Sequence, residues 1–307
     1  MILPPRLDPG ARVSLVAAAG PLPEGGLERA VSRVEALGWA PLLGKYAGGR
    51  RGYLGGTDVE RLTDLTEALR SEENDAIWLL RGGYGTMRLL DRLDLSPLRA
   101  RPRPLIGFSD NTALHLAARR HEVVTFHGPH PAPREFPPFS RDGIRAILGT
   151  PEPLGRLPFP AEGPSVATTL VPGVAEGPLT GGNLCLLAAS LGTPFQLDAR
   201  GAILFVEEVG EPMYRIDRLL TQLLLSGVLQ GVQGIAIGGI SECPDAGTEG
   251  LPTPTEVLAD RLSGLGVPVA YGFPFGHLVE SWTLPYGVRA RLDATAGTLE
   301  LLDPAVV

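Results

Sequence analysis

Short apolar runs alternate along the chain with segments whose apolar residues recur every three or four positions. RVSLVAAA reads as a strand ending at Gly20-Pro21, and LERAVSRVEALG as an amphipathic helix closed by Gly38. VERLTDLTEALRSEE predicts a second helix with Asp58 as its N-cap. AIWLL then reads as a buried strand, YGTMRLLDRL as a helix, PLIGF as a strand and NTALHLAARR as a helix. This order predicts an α/β domain over residues 1–130, with a parallel sheet covered on both faces and flavodoxin-like character. In such sheets, chemistry collects where strands end and helices begin.

The pattern changes between Pro129 and Pro178, where PHPAPREFPPF, TPEPLGRLPFPAEGP and VPGVAEGP enclose one helix-like run, RDGIRAILG. Residues 131–177 read as a Pro-rich crossover between two lobes. Beyond it come TGGNLCLLAASLG, the strand AILFVEEV, the helix MYRIDRLLTQLLLSG, the strand GIAIGG, a helix from Thr255 and the strand VPVAYGF. The tail TLPYGVRARLDATAGTLELLD predicts a β-hairpin with turn residues Ala294–Gly297, completing a smaller mixed domain over 178–307.

Composition narrows the function classes. The balance of 44% apolar and 20% charged residues over 307 positions is that of an ordinary globular chain. The formal charge of −7 is spread without a basic block, which argues against nucleic acid or an anionic membrane as partner. Cys185 and Cys243 are too few for a disulfide framework and lack metal-ligand spacing; Cys185, inside NLCLLAAS, reads as a small buried hydrophobe. The apolar run Val13–Ala19 is short for a signal peptide and follows Asp8 and three prolines. No later window holds a membrane-spanning apolar run, so a cytoplasmic location is expected by elimination.

Gly107-Phe108-Ser109-Asp110 is the sharpest chemical feature. A serine on a tight strand-to-helix turn exposes its hydroxyl above the sheet, beside the free N–H groups of the following helix. The match to G-x-S-x-G is incomplete, with Asn111 in place of the second Gly. Ser and Asp are also preferred N-caps, and on local sequence that plainer reading is favoured. Arg81-Gly82-Gly83-Tyr84-Gly85, after AIWLL, fits a phosphate loop, an oxyanion donor or a plain tight turn; it is neither G-x-G-x-x-G nor a P-loop. His127 and His130 have a His-x-x-His spacing without a third ligand nearby. His277 ends GFPFGH, at the carboxyl end of a predicted strand. Glu207, Glu208 and Glu211 are the acids that could orient it. Strand alternation sets the first two on opposite faces, so one of them should be solvated or salt-bridged.

Together, RGGYGTMRLLDRLD, LIGFSDNTALH, FHGP, LTGGNLCLLAASLGTPF, ILFVEEVGEPMYRIDRLLTQL and GFPFGH followed by TLPYG resemble the LD-carboxypeptidase family, in the family's order. That family comprises muramoyltetrapeptide carboxypeptidases and related microcin-immunity peptidases. The resemblance implies a nucleophile, Ser109, in the first domain, with Glu207 and His277 in the second completing a Ser-His-Glu triad. Glu208 stands where the family often has Asp, and Glu211 remains the alternative acid. The backbone N–H groups of Asp110 and Gly83 would form the oxyanion hole, and no metal or organic cofactor is implied. The implied substrate is a murein tetrapeptide, a peptidoglycan-derived peptide that loses its terminal D-alanine in cell-wall recycling, and the implied assembly is a homodimer.

A carboxylate-rich substrate on a net-acidic protein calls for a local cation, with Arg81 and Arg218 as candidates; an internal salt bridge with Asp217 is the plainer reading of Arg218. A microcin-immunity-like peptidase acting on aminoacyl-nucleotide analogues would need an aromatic platform. Trp39, Trp78 and Trp282 lie outside the Pro-rich crossover, whose aromatics are Phe136, Phe139 and Phe159, and this favours the murein peptide. In a different class stands a non-catalytic ligand-binding protein, with RGGYG as an anion loop and Ser109 as a cap.

Overall fold

The computed structural model describes residues 1–307, which divide into two compact units. Met1–Glu152, Trp282–Gly287 and Pro304–Val307 form the first, and Pro153–Ser281 with Val288–Asp303 the second.

In the first unit the elements are β1 (Arg12–Val16), α1 (Gly26–Ala36), β2 (Ala40–Leu43), α2 (Asp58–Arg70), β3 (Ala76–Leu79), α3 (Ser96–Ala100), β4 (Leu105–Gly107), α4 (Thr112–Arg119), β5 (Phe126–His127) and α5 (Pro138–Gly149). The strands β2, β1, β3, β4 and β5 lie side by side and parallel, and Leu284–Pro285 pairs antiparallel with β5. All four residues of β3 are buried, as strands under helices on both faces require. Trp39 meets Trp78 edge-on at 6.4 Å, and the Trp78 indole N–H donates to the Pro129 carbonyl at 2.9 Å. Because the strands are parallel, the segments that follow β1, β3, β4 and β5 leave the sheet at one edge.

Local details differ from the sequence reading for physical reasons. Asp58 is not the cap of α2. Thr57 accepts from the Glu60 amide, and the Glu60 carboxylate accepts from the Thr57 amide. The Asp58 carboxylate is taken instead by Arg61 at 2.6 Å and Arg88 at 2.7 Å. YGTMRLLDRL forms only a 3₁₀ turn, Thr86–Leu89, whose first amide, that of Thr86, donates to the Asp110 carboxylate at 2.8 Å. The strand β2 was not expected from APLL; at the sheet edge, Pro41 is tolerated.

The second unit contains β6 (Gly155–Arg156), β7 (Thr168–Val171), β8 (Val174–Asn183), α6 (Leu184–Ala189), β9 (Ile203–Val209), α7 (Met213–Ser226), β10 (Gly234–Ser241), α8 (Pro254–Leu262) and β11 (Val269–Tyr271). After β12 (Leu284–Pro285, the strand given to the first sheet) follow β13 (Arg289–Asp293) and β14 (Thr298–Leu301). Its eight-stranded sheet runs β6-β14-β13-β8-β9-β10-β11-β7, with β8 to β11 parallel and the flanking strands antiparallel. The tail is the expected hairpin of β13 and β14.

The stretch 131–177 carries more regular structure than a crossover would: α5, β6, β7 and the start of β8. Its prolines stand where a missing N–H costs least, such as Pro137 and Pro138 at the start of α5. The Arg33 guanidinium secures the segment before α5 by donating to the carbonyls of Pro131, Pro133 and Arg134. No helix is long and apolar enough to cross a membrane.

Candidate active site

In the first unit, β4 ends at Gly107, Phe108 is extended, and Ser109 turns into the left-handed region at φ 61°. A residue with a Cβ pays roughly 1–2 kcal/mol for that conformation, so the surrounding structure must enforce it. Ser109 opens a short 3₁₀ turn, Ser109–Asn111, that runs into α4. The cap reading is thereby corrected. The cap positions are Phe108 and Asn111, and neither makes a side-chain cap bond. The strain of the turn, not helix capping, distinguishes Ser109.

The Arg81–Gly85 segment lies directly against this turn. A Cβ on Gly82 would sit 2.7 Å from the Ser109 Cβ and 2.8 Å from its Oγ, so only glycine allows the approach. Gly20 N–H donates to the Gly82 carbonyl at 2.9 Å. In a planar trans peptide, this directs the Gly83 N–H away from Gly20. Gly83 and Gly85 have φ 106° and 131°, a conformation open to glycine.

Buried polar side chains tie the two loops together. The Asp110 carboxylate, 2% exposed, accepts from the Thr86 amide at 2.8 Å, and burial raises its pKa against the lowering effect of those bonds. Asn111 donates to the Arg81 carbonyl at 3.3 Å and to His130 Nε2 at 2.9 Å. His130 Nε2 also accepts from the Phe108 amide at 3.3 Å, which assigns its proton to Nδ1. Fully buried Arg61 donates to the carbonyls of Ala18 and Gly85. Beneath the turn, His115 Nε2 donates to the Gly107 carbonyl at 2.8 Å, and burial lowers its pKa to about 4.

In the second unit, Glu207 is buried in β9, and its Oε2 lies 2.6 Å from Nδ1 of His277. Gly276, at φ 98°, makes this approach possible, since a Cβ there would fall 2.6 Å from the Glu207 Cβ. Burial would lower the His277 pKa, but the charge and hydrogen bond of Glu207, with Glu208 and Glu242 further off, carry it above the usual value. An Nδ1–H bound to a carboxylate leaves Nε2 as the basic nitrogen of the ring.

The neighbouring acids have other partners. Glu208 is neither solvated nor salt-bridged, contrary to expectation. It is buried, and accepts from Asn183 Nδ2 at 2.9 Å, the Val209 amide at 2.9 Å and the Cys185 amide at 2.7 Å. Burial raises its pKa. Because its oxygens meet main-chain donors, no counter-cation is required. Glu211 pairs with Arg215 at 2.9 Å. Of the two candidate cations, Arg81 donates to the Pro21 carbonyl, and Arg218 lies over the Tyr214 ring at 5.2 Å. Cys185 is half-buried rather than fully so.

The structure therefore groups Ser109, Asp110, Gly83 and Arg81 at one sheet edge of the first unit, and Glu207 with His277 in the second. Sequence reasoning weighed His130 only for its spacing to His127 and Asn111 only as a departure from G-x-S-x-G, and it passed over Thr86, Arg61 and Asn183. Arg61 left a legible signal, since it falls on the stripe of α2 that buries Asp64, Leu65, Ala68 and Leu69.

Comparison with known proteins matches both units. Residues 13–128 fit the LD-carboxypeptidase N-terminal domain, and residues 176–292 the LD-carboxypeptidase C-terminal domain. A putative carboxypeptidase of Streptomyces coelicolor, SCO6489, is 44% identical over 100% of this chain and 98% of its own. The muramoyltetrapeptide carboxypeptidase of Oxalobacter formigenes superposes with a TM-score of 0.83 at 31% identity, covering 95% of this chain and 98% of the other. MccF in complex with glutamyl sulfamoyl guanosine gives 0.90 at 25% identity, covering 100% of both chains; the MccF of Escherichia coli is the microcin C7 self-immunity protein.

Proposed function

The chain belongs to the LD-carboxypeptidase family, and on that premise we propose that it is a serine carboxypeptidase releasing the terminal D-alanine of a murein tetrapeptide. The observation that carries the reading is the left-handed backbone of Ser109 at the strand-to-helix turn. A structural serine has no need of that strain, whereas a nucleophile must stand clear of its own strand and helix.

In the proposed reaction Ser109 Oγ attacks the carbonyl that precedes D-alanine, and His277 Nε2 takes the hydroxyl proton. Glu207 holds the imidazole in the required tautomer and stabilises the imidazolium. The backbone N–H groups of Asp110 and Gly83 are assigned to the oxyanion, where each donor contributes about 10²–10³ in turnover. The C–N bond breaks as His277 returns the proton to the amine of the departing D-alanine. Water, deprotonated by the same imidazole, then hydrolyses the acyl-enzyme and regenerates Ser109.

The three tryptophans support the murein peptide over an aminoacyl-nucleotide. Trp39, Trp78 and Trp282 are 5%, 0% and 4% exposed, so none offers a surface on which a base could stack. The test is incubation with murein tetrapeptide and detection of free D-alanine, with Ser109→Ala as control. Release that persists in the variant, or no release by the unsubstituted protein, refutes the assignment. A fluorophosphonate label lost in Ser109→Ala separates the enzyme from a binding protein of the same fold.

A further inference from the structure

Two tyrosines beside the Ser109 turn have no part in the reaction above. Tyr53 is 68% exposed and Tyr84 48% exposed, and their rings meet at 5.6 Å and 62°. Tyr53 stands on a tight turn closed by reciprocal backbone bonds between Arg51 and Leu54, at 2.8 and 3.0 Å. The Gly55 amide donates to the Ala19 carbonyl at 2.8 Å, anchoring that turn to the end of the segment after β1. A Cβ on Gly20 would lie 2.9 Å from the Gly82 carbonyl and 3.6 Å from that of Tyr53. Gly20 is thus flanked on one side by the Tyr53 turn and on the other by the segment that touches Ser109. The Tyr84 backbone lies between Gly83, whose neighbour Gly82 packs on Ser109, and Gly85, whose carbonyl accepts from buried Arg61. Both tyrosines therefore sit on constrained backbone while their rings face water.

Tyrosine offers a ring face together with a hydroxyl, a pairing suited to ligands that are part apolar and part polar. The angle limits what fits. Rings in edge contact at 62° leave no gap between them for a flat base, and present instead a stepped outer surface of ring face and hydroxyl that suits a puckered ring with C–H faces and outward hydroxyls. The proposed substrate carries such a group: a muramoyl unit is an amino sugar at the amino end of the peptide. Three residues separate that sugar from the bond to D-alanine, about 11 Å of extended chain if each link ran through the main chain and longer through the side-chain link of the glutamyl residue. Tyr84 follows Gly82 by two residues, at most about 7 Å of backbone, and Gly82 packs on Ser109. The backbone that carries Tyr84 therefore lies within the reach of the substrate.

We propose that Tyr53 and Tyr84 form a subsite for the amino sugar of a muramoyl peptide, a proposal that rests on the murein reading and adds substrate preference to it. The experiment compares kcat/KM for muramoyl tetrapeptide with that for the free tetrapeptide, in the unsubstituted protein and in the Tyr53→Ala/Tyr84→Ala double variant. The preference for the sugar-bearing peptide should fall about ten-fold in the double variant. In Tyr53→Ala alone, which alters only a solvent-exposed turn, it should fall about three-fold. A ratio that stays within about two-fold in the double variant overturns the subsite, because both substrates then depend on the tyrosines equally or not at all. Glutamyl sulfamoyl guanosine serves as an inhibitor in parallel; a ten-fold loss of its inhibition with no change in the ratio would assign the pair to a base and also overturn the proposal. If neither peptide yields D-alanine with the unsubstituted protein, the murein reading itself fails and the subsite with it, an outcome distinct from an unchanged ratio.

Discussion

In the first unit the candidate nucleophile is held by main chain, whereas in the second the candidate base is held by another side chain. Around Ser109 the work is done by a positive φ, by Gly82 with no Cβ, and by buried Asp110, Asn111 and Arg61 bonded to backbone groups. Around His277 it is done by the carboxylate of Glu207, with Gly276 clearing the way. A hydroxyl needs only to be presented, and backbone geometry suffices for that. An imidazole must also keep one tautomer and accept charge, which takes a carboxylate. In both units the acid adjacent to the candidate residue, Asp110 or Glu208, is buried and spends its oxygens on the amides of another segment. Such acids resemble catalytic ones in sequence while serving the scaffold.

The contrast can be broken most directly at Ser109. Ser109→Ala should lower D-alanine release by about 10⁴-fold or more, with the chain still folded by circular dichroism. Glu207→Gln should cost about 10²–10⁴-fold in kcat, through loss of the tautomer and of imidazolium stabilisation.

The pH profile sharpens the same point. In the proposed reaction His277 works as a neutral base, so with its pKa raised the acid limb of kcat/KM should lie above the ordinary histidine value, and Glu207→Gln should move that limb to lower pH. The stability contribution runs the other way. A raised folded-state pKa stabilises fully below the unfolded value, and that contribution is lost as pH rises through the folded one. Identical limbs in both proteins would sever His277 from the rate.

A smaller effect is expected from His115, below the Ser109 turn. Its pKa is lowered to about 4, so the unfolded chain binds the proton more readily. Stability is therefore lost as pH falls from the ordinary value near 6.5 toward 4, by roughly 3 kcal/mol in all. Thermal unfolding of His115→Gln across that window should show a flatter acid-side decline.

Gly82→Ala and Gly276→Ala should each reduce turnover about 10²-fold by displacing a neighbour, with only Gly276→Ala shifting the acid limb of the profile. The smallest effect separates strain from chemistry. Both Ser109→Gly and Ser109→Ala remove the hydroxyl, but glycine also relieves φ 61°, so the glycine variant should be the more stable by about 1 kcal/mol in urea unfolding.

Periodicity in the chain marked β1, β3, β4, α1, α2, α4 and most of the second unit's elements, because burial on one or both faces imposes a repeat that a reader can count. Elements as short as β5 carry no repeat to count, and the prolines of 131–177 concealed β7 and the first turn of α5, whose remainder RDGIRAILG was legible, since proline signals a break until its place at an element's first residue is known. The sequence alone also determined which residue types were available for acyl chemistry and the order in which they occur.

Only the tertiary structure decided between the readings of Ser109, because a cap and a strained turn use the same residues and differ in one backbone torsion. The choice of Glu207 over Glu208 and Glu211 as the partner of His277 likewise required the fold. The two residues are 70 positions apart, and no local pattern reports which acid a distant imidazole will meet.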